Sequence, residues 1–477
     1  MISFPKVFER RAREENFFQE VSLSKIFFMK KLFYVLILGF APFAKAEKPN
    51  VIVILADDAG YADFGFMGSQ EFKTPNLDQL AQGGVQFSNA YVTACMCAPS
   101  RAGLITGKYQ QRLGFHLNLP HNYTHSFGLR TSQKTIANYM QEAGYKTAAF
   151  GKWHLGHERR FHPNQRGFDY FFGFAAGHRS FFPLEAEERK TPAYRLERNG
   201  KFINEPKDMY MTDLLTDDAI SYIEQNRKKP FFIYLAYSAV HTPMHAKQED
   251  LKFFDKIKDP NRQILAAMTK SMDDNIGRLQ TSLKDLGLEK KTLIWFLNDN
   301  GGAYSNFSKN GILRGGKGGL SEGGLRVPTI ISWPNKIKPG KNESPIISLD
   351  IGSSLMSLAG IENEKLDGQD ILSPLLKDEK IAERDLFWAS QEIFAMRRGN
   401  QKLIRIDYSS GPKFWLFDLA ADPSESNNLA ESAKDRVQEL NAALNQWIAT
   451  HEEAEFRKTD YLTDEQKNMR LREWMKF

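Results

Sequence analysis

Val51-Ile52-Val53-Ile54-Leu55 is an unbroken apolar run, mostly β-branched, and it closes on Ala56-Asp57-Asp58. A strand covered on both faces needs such a run because neither face meets water, whereas a half-exposed strand would alternate. The run therefore predicts a parallel strand inside an α/β sheet. The same unit recurs along the chain. Thr74-Pro75 reads as the cap and first residue of a helix that Gly83-Gly84 stops, and residues 85–92 read as a strand. A helix over 134–142 ends at Gly144, and a strand over 146–150 runs out to Lys152 and His154. A helix follows over 214–226, then a buried strand over 231–237 that ends near His241-Thr242-Pro243. A long helix over 262–286 precedes a strand over 292–297 ending at Asn298-Asp299-Asn300-Gly301. Such alternation predicts a doubly wound sheet, whose ligands bind beyond the carboxyl ends of the strands. Asp57-Asp58, Lys152, His154, His241 and Asp299-Asn300 all fall at such ends. Scattered structural residues have no reason to choose one edge.

Cys97-Ala98-Pro99-Ser100-Arg101, continuing through Leu104-Ile105-Thr106-Gly107, is the other informative stretch. Pro99 suits a first helical residue and Gly107 a helix end, so Cys97 is expected just before a short helix. There it faces unpaired amides, which favour an anion and lower a thiol pKa. Taken alone, the stretch also reads as a small apolar cysteine ahead of a surface helix.

Cys-x-Pro-Ser-Arg followed by Leu-x-Thr-Gly resembles the signature of the type I sulfatases, in which the cysteine is converted to Cα-formylglycine. A second pattern of that family stands at Gly144-Tyr145-Lys146-Thr147-Ala148-Ala149-Phe150-Gly151-Lys152-Trp153-His154. A third resemblance is the segment Ile312 to Pro328, with Lys317 among its glycines. The resemblance covers nearly everything from Lys48 to about residue 450. It implies a large doubly wound mixed sheet flanked by helices, the alkaline phosphatase-like sulfatase fold. A small C-terminal antiparallel sheet with one helix would complete it. It further implies that the hydrated aldehyde from Cys97 attacks sulfur, that Arg101 holds it, and that Lys317 binds the sulfate with Lys152 nearby. His241 then protonates the departing alcohol, and His154 takes a proton so that sulfate is expelled.

Asp57, Asp58 and Asp299 would bring three carboxylates to one edge, where repulsion raises pKa values unless a cation offsets it. With Asn300 and an oxygen of modified Cys97 they form an all-oxygen set that suits Ca2+ better than zinc, with Mg2+ as second choice. The plainer alternatives are a helix cap at Asp57-Asp58 and a turn at Asp299-Asn300-Gly301. Arg101, Lys152 and His154 also have ordinary surface readings, and His241 alone is a weak signal.

Residues 167–174 and 177–182 are rich in Phe and carry His178 and Arg179. They offer either sugar-stacking faces with cations for a second sulfate, or plain core. The resemblance points to sulfated oligo- or polysaccharides, including algal galactans such as carrageenan, as the substrate class. The rival readings are a phosphoester or phosphonate hydrolase of the same superfamily and a catalytically silent glycan-binding protein.

The net charge of +6 carries little information, since residues 1–46 hold eight Lys and Arg against four Glu. No nucleic-acid partner is expected from so small a remainder. From Met29, Met-Lys-Lys, an apolar run over 32–43 and Ala44-Lys45-Ala46 read as a secretory signal with its cleavage site. Met29 is the expected start, and the mature chain is expected to be periplasmic or secreted. The run is too short for a stable membrane anchor. The two cysteines, Cys95 and Cys97, are too close for an unstrained bridge, and the resemblance leaves Cys95 as a small buried residue. Maturation of Cys97 implies a formylglycine-generating or anaerobic maturation enzyme as partner. The expected organisation is a leader over 1–46, a catalytic domain over 47–365 and a small α+β subdomain over 366–477. In the last, strands are expected at 393–398, 402–406 and 413–419, followed by an amphipathic helix at 434–448.

Overall fold

Strand β1 (Asn50–Ala56) pairs in parallel with β8 (Phe231–Ala236) on one side and β9 (Thr292–Asn298) on the other. This computed structural model describes residues 48–120, 126–361, 365–454 and 462–474, and the expected leader and signal segment at 1–46 lie outside them. Beyond β8 come β4 (Lys146–Lys152) and β5 (Tyr170–Phe174), both parallel, then the short antiparallel β6 (Glu197–Arg198) and β7 (Lys201–Phe202). Beyond β9, β10 (Thr329–Ser332) runs antiparallel, followed by β2 (Val85–Phe87) and β11 (Gly340–Asn342). The result is a mixed sheet of ten strands among the described residues.

All seven residues of β1 are buried. Their alternation sorts them between two layers. Ile52, Ile54 and Ala56 join a core with Leu215 and Ile223 of helix Met211–Asn226 and with Leu265 and Met272 of helix Pro260–Asp285. Val51, Val53 and Leu55 join a second core with Ala98 and Ile105 of helix Cys97–Thr106 and with Ile136 and Met140 of helix Ile136–Glu142. Each fully buried aliphatic chain contributes about 1.5–3 kcal/mol. A one-residue slip would exchange the two layers, so the register is strongly specified.

That register sets the site. Leu55 lies opposite Ala236 and Ala56 opposite Asn298, so three chains leave the sheet at one level. The amide of Asp299 donates to the Ala56 carbonyl at 3.0 Å, and that of Tyr237 to the Leu55 carbonyl at 2.9 Å, which carries the alignment past the strand ends.

Residues 85–92, expected as one strand, divide in two. β2 stays in the large sheet, while β3 (Ala90–Tyr91) pairs with β12 (Ile346–Ile347) in a separate ribbon. At the break, Ser88 accepts from the Tyr61 hydroxyl and donates its amide to the Asn342 carbonyl. The C-terminal sheet is a four-stranded antiparallel meander of β13 (Leu386–Ser390), β14 (Ile393–Arg398), β15 (Gln401–Tyr408) and β16 (Gly411–Asp418). β13 has no counterpart in the sequence expectation, because Leu386–Ser390 lacks alternation and a turn signal ahead of it. Helix Lys434–Ile448 covers the sheet with Val437, Leu440, Leu444 and Trp447. Their core also contains Tyr91, Cys95, Leu320 and Leu325 from the earlier chain. No helix among the described residues is long and apolar enough to cross a membrane.

Thr74 does not cap helix Pro75–Gln82 as expected, since its hydroxyl is taken by Asp78 and by the Gly65 amide. Buried Asp273 of the neighbouring helix does so instead, accepting from the Leu77 amide at 2.8 Å, the Asn76 amide at 3.0 Å and the Asn76 side chain at 2.9 Å. Removing a buried charged acceptor strands donors that water cannot reach. Asp273→Ala is therefore expected to lose about 3 kcal/mol of stability, and Asp273→Asn about half of that, because one acceptor remains. Urea denaturation with an unchanged slope checks this; equal stability of all three proteins would show that the cap contributes nothing.

Candidate active site

Cys97 is the first residue of its helix, not the residue before it, and extended Met96 occupies the capping position. Pro99 sits in the first turn, where its missing N–H costs no bond. The Cys97 thiol is buried, 3.7 Å from Asp57 Oδ1 and 3.9 Å from Asp58 Oδ1. Burial pushes its pKa up, but Lys152 and Lys317 outweigh that and hold it below the ordinary thiol value. Cys95 is buried without such cations and is pushed up to about 11. Both thiols are free.

Around Cys97 the structure gathers the carboxylates expected from the strand ends, and it pairs each with a cation. Lys152 Nζ lies 2.5 Å from Asp57 Oδ2, Lys317 Nζ 2.7 Å from Asp58 Oδ2, and Arg101 Nε 2.9 Å from Asp299 Oδ2. The three carboxylates are thus each offset by a cation of the protein itself. The Arg101 fork holds Asp299, lies 3.5 Å from Asp57, and donates to the Lys152 carbonyl at 2.9 Å. Compensation is uneven. Burial raises the Asp58 carboxyl, yet Lys317, His241 and Lys152 together hold it well below the usual carboxylate range. Asp299 is pushed up to about 6 by burial and by Asp57, against Arg101.

Asp57, Asp58, Cys97 and His241 offer ligand atoms that all lie within 4.8 Å of one another. Asn300 is fully buried, and its Nδ2 donates to Asp58 Oδ1 at 2.8 Å while its Oδ1 has no hydrogen-bond partner among the described residues. Turning the amide over would set its oxygen beside Asp58 Oδ1, where only a cation makes the pairing favourable. The donor set fits a hard divalent cation on this orphaned oxygen and on the convergence of carboxylates. Asp299 stands outside the tight group in this geometry, with Oδ1 taking the Asp58 amide at 3.4 Å.

The two histidines differ in setting. His154 is buried, and neither ring nitrogen has a hydrogen-bond partner among the described residues. Burial, then Lys152, Arg101, His241 and Lys317, press its pKa well below the ordinary imidazole value, so the ring is a neutral proton acceptor. A Cβ on Gly177 would come within 2.6 Å of its Nε2, so that position must be glycine for the ring to fit. His241 places Nδ1 2.6 Å from the Thr242 carbonyl and Nε2 3.5 Å from Asp58 Oδ2. Burial disfavours its charge, but Asp58 and Asp57 raise its pKa above the ordinary value. That direction favours the protonated ring. The Lys317 ammonium is likewise held well above its ordinary value, burial being outweighed by Asp58, Cys97 and Asp57.

His178 stacks on His241, with ring centroids 6.3 Å apart and 15° between planes. Arg179 is not presented to a ligand. It is buried, 2.9 Å from Glu205, and donates to the carbonyls of Ser180, Phe182 and Tyr194. Phe168, Phe171, Phe172, Phe174 and Phe181 are core, and of this group Phe182 is the exposed ring. Several supporting residues escaped the sequence reading. Asn306 donates to the carbonyls of Asp58 and Val240, Ser308 donates to the Asp58 carbonyl, and Asn118 accepts from the Ala98 amide at the start of the Cys97 helix. None stands at a strand end or within a repeated pattern, so no local signal marks them.

The Sulfatase family profile matches residues 49–361, and that of the N-sulphoglucosamine sulphohydrolase C-terminal region matches residues 317–454. The chain is 32% identical over 391 residues to N-acetylgalactosamine-6-sulfatase of Mus musculus, covering 76% of this chain and 73% of that protein. It is 32% identical over 459 residues to arylsulfatase A of Homo sapiens, covering 85% and 88%. Its fold is similar to that of Ps i-CgsB in complex with k-i-k-neocarrahexaose, with TM-score 0.81 and 35% identity over 89% of this chain and 97% of that one. The likeness is therefore one of sequence as well as fold, and the chain belongs to the sulfatase family, the type I sulfatases of alkaline phosphatase-like fold, and is a sulfuric ester hydrolase.

Proposed function

We propose that the chain removes sulfate from a sulfated glycan, using a formylglycine made from Cys97 and a calcium ion held by Asp57, Asp58, Asp299, Asn300 and an oxygen of the modified Cys97. The observation that carries the chemistry is the buried Cys97 beside Lys152, Lys317 and His241, with the pKa values of His241 and His154 displaced in opposite directions. The glycan class is supported by the neocarrahexaose bound to Ps i-CgsB and by the name of the N-acetylgalactosamine-6-sulfatase relative. A sulfated galactan such as carrageenan is the substrate we favour. Export to the periplasm or beyond, and maturation by a formylglycine-generating enzyme, belong to the same reading.

Formal charge explains why a metal suits the pocket. Lys152, Lys317 and Arg101 are each engaged by a carboxylate and His241 faces Asp58, so an anionic ester entering this dry site meets positive charge that is already engaged and gains from more. When bound, the divalent cation supplies it, and the aldehyde hydrate supplies an attacking oxygen with a second hydroxyl for release. The protein residues do the rest. Lys317, 16% exposed and paired with Asp58, offsets charge on the sulfate oxygens. Lys152 and Arg101 hold Asp57 and Asp299 in place around Cys97. His241, with Nδ1 fixed on the Thr242 carbonyl, gives the Nε2 proton to the departing oxygen. His154, neutral and unpartnered, accepts a proton in the second half of the cycle. His178, stacked on His241, is the residue we assign to the leaving sugar.

In a host with maturation machinery, the peptide spanning Cys97 is expected to carry the mass of formylglycine. Cys97→Ala should fold and bind glycan while losing turnover by several orders of magnitude. A fully active preparation whose Cys97 peptide is unmodified overturns the nucleophile assignment. Equal or faster turnover of phosphate esters in a side-by-side assay would instead favour the phosphoester reading.

Chelation should abolish activity, and Ca2+ should restore it better than Mg2+. Full activity in protein shown by elemental analysis to hold no divalent metal would end the metal proposal.

The histidines should separate kinetically. For His241→Ala the loss should be large with sugar alcohols as leaving groups and small with an activated aryl sulfate. For His154→Ala, rapid mixing with a chromogenic sulfate should show a burst of about one alcohol per site before a slow phase. Absence of a burst, together with equal losses for both leaving groups in His241→Ala, reverses or removes the two assignments.

A further inference from the structure

We infer that Lys402, on β15 of the C-terminal sheet, is a positioning residue for the sulfatase reaction, and that through Glu322 and Glu425 it sets the placement of Lys317. Lys402 is fully buried, and its ammonium lies 2.9 Å from Glu322 Oε1 and 2.9 Å from Glu425 Oε1, both also fully buried. Glu425 Oε2 accepts the Glu322 amide at 2.7 Å, and Glu322 Oε2 accepts from the Tyr91 hydroxyl at 2.7 Å. Burial raises the Glu322 pKa, but Lys402, Arg326 and Arg397 outweigh it and bring it to about 2. A buried charge set of this kind tolerates no missing member, because the partners cannot turn to water.

Glu322 opens the short helix Glu322–Leu325, and the backbone of that helix touches both halves of the active site. On one side the Gly301 amide donates to the Gly324 carbonyl at 3.0 Å, directly after Asp299 and Asn300. A Cβ at Gly301 would lie 1.8 Å from the Gly323 carbonyl oxygen, so the two backbones are in contact. On the other side the Gly323 amide donates to the Arg314 carbonyl at 2.7 Å, and a Cβ at Gly324 would meet the carbonyls of Gly319 and Gly316 at 2.1 and 2.6 Å. The strap that carries Lys317 therefore lies on this helix. Its glycines are needed for close approach, and the strap is held by this helix together with the Lys317 amide on the Gly302 carbonyl at 3.1 Å and the Gly318 amide on the Cys95 carbonyl at 2.8 Å. The helix rests on Lys402 and Glu425.

Without Lys402 the buried Glu322 and Glu425 carboxylates lose the cation they share, so one takes up a proton or the two move apart, and either change reaches the Glu322 amide that Glu425 holds and the helix beneath the Lys317 strap. The expected effect lies in sulfate recognition. At a temperature where the variants remain folded, Lys402→Met should raise both KM and the inhibition constant of inorganic sulfate at least tenfold, with a smaller fall in kcat. Leu440→Ala, which removes a buried contact of the same sheet without touching the charges, should leave both constants within twofold while lowering Tm. The inference rests on Lys317 as the sulfate binder, so Lys317→Ala is measured alongside. If Lys317→Ala leaves the sulfate constant unchanged, that reading of the site fails. If Lys317→Ala weakens sulfate but Lys402→Met does not, the positioning inference fails alone. Should Lys402→Met not fold, Glu425→Gln is read by the same two constants, and values within twofold of the parent overturn the inference.

Discussion

The constraint on which the rest depends is the parallel register of β8, β1 and β9. It delivers Asp57, Asp58, His241, Asp299 and Asn300 to one buried edge, and the neighbouring strand β4 adds Lys152 and His154. Water is excluded there, so pairings that would be worth about 1 kcal/mol in bulk solvent act at an effective dielectric where they approach about 4 kcal/mol. Geometry therefore decides which ions form. Asp58, touched by Lys317 and His241, stays ionised, while Asp299, shared between Arg101 and the field of Asp57, is pushed up to about 6.

The same dryness separates two chemically identical side chains. Asp58 and Asp57 outweigh burial and raise the pKa of His241, whereas burial, Lys152 and Arg101 lower that of His154. The two rings are thereby biased in opposite directions without any difference in residue type. Divergent settings for like groups are what acid and base roles require.

Tertiary packing extends the site well past the strand ends. Lys402 comes from the C-terminal sheet, yet its charge closes a cluster beneath the Lys317 strap. Asp273 serves another helix in a similar way, reaching the first-turn amides of Pro75–Gln82 from a neighbouring element. In both cases a buried charge holds backbone that its own segment cannot hold.

Much of this was legible in the chain. The apolar runs at 51–55, 231–237 and 292–297 marked strands buried on two faces, and polar residues at their ends marked the edge, because period and burial follow from local composition. Helix 434–448 announced its buried stripe for the same reason. What local pattern cannot carry is pairing at long range. Residues 85–92 read as one strand but serve two sheets, Thr74 looked like a cap that Asp273 in fact provides, and Arg179 looked like a cation for substrate but is spent on buried Glu205. Sequence alone determined which residue types reach the catalytic edge, since that depends on periodicity and on where each apolar run stops. Only the tertiary structure decided their charge states and partners, since these follow from distance and from exclusion of water, and both arise when distant segments close on one another.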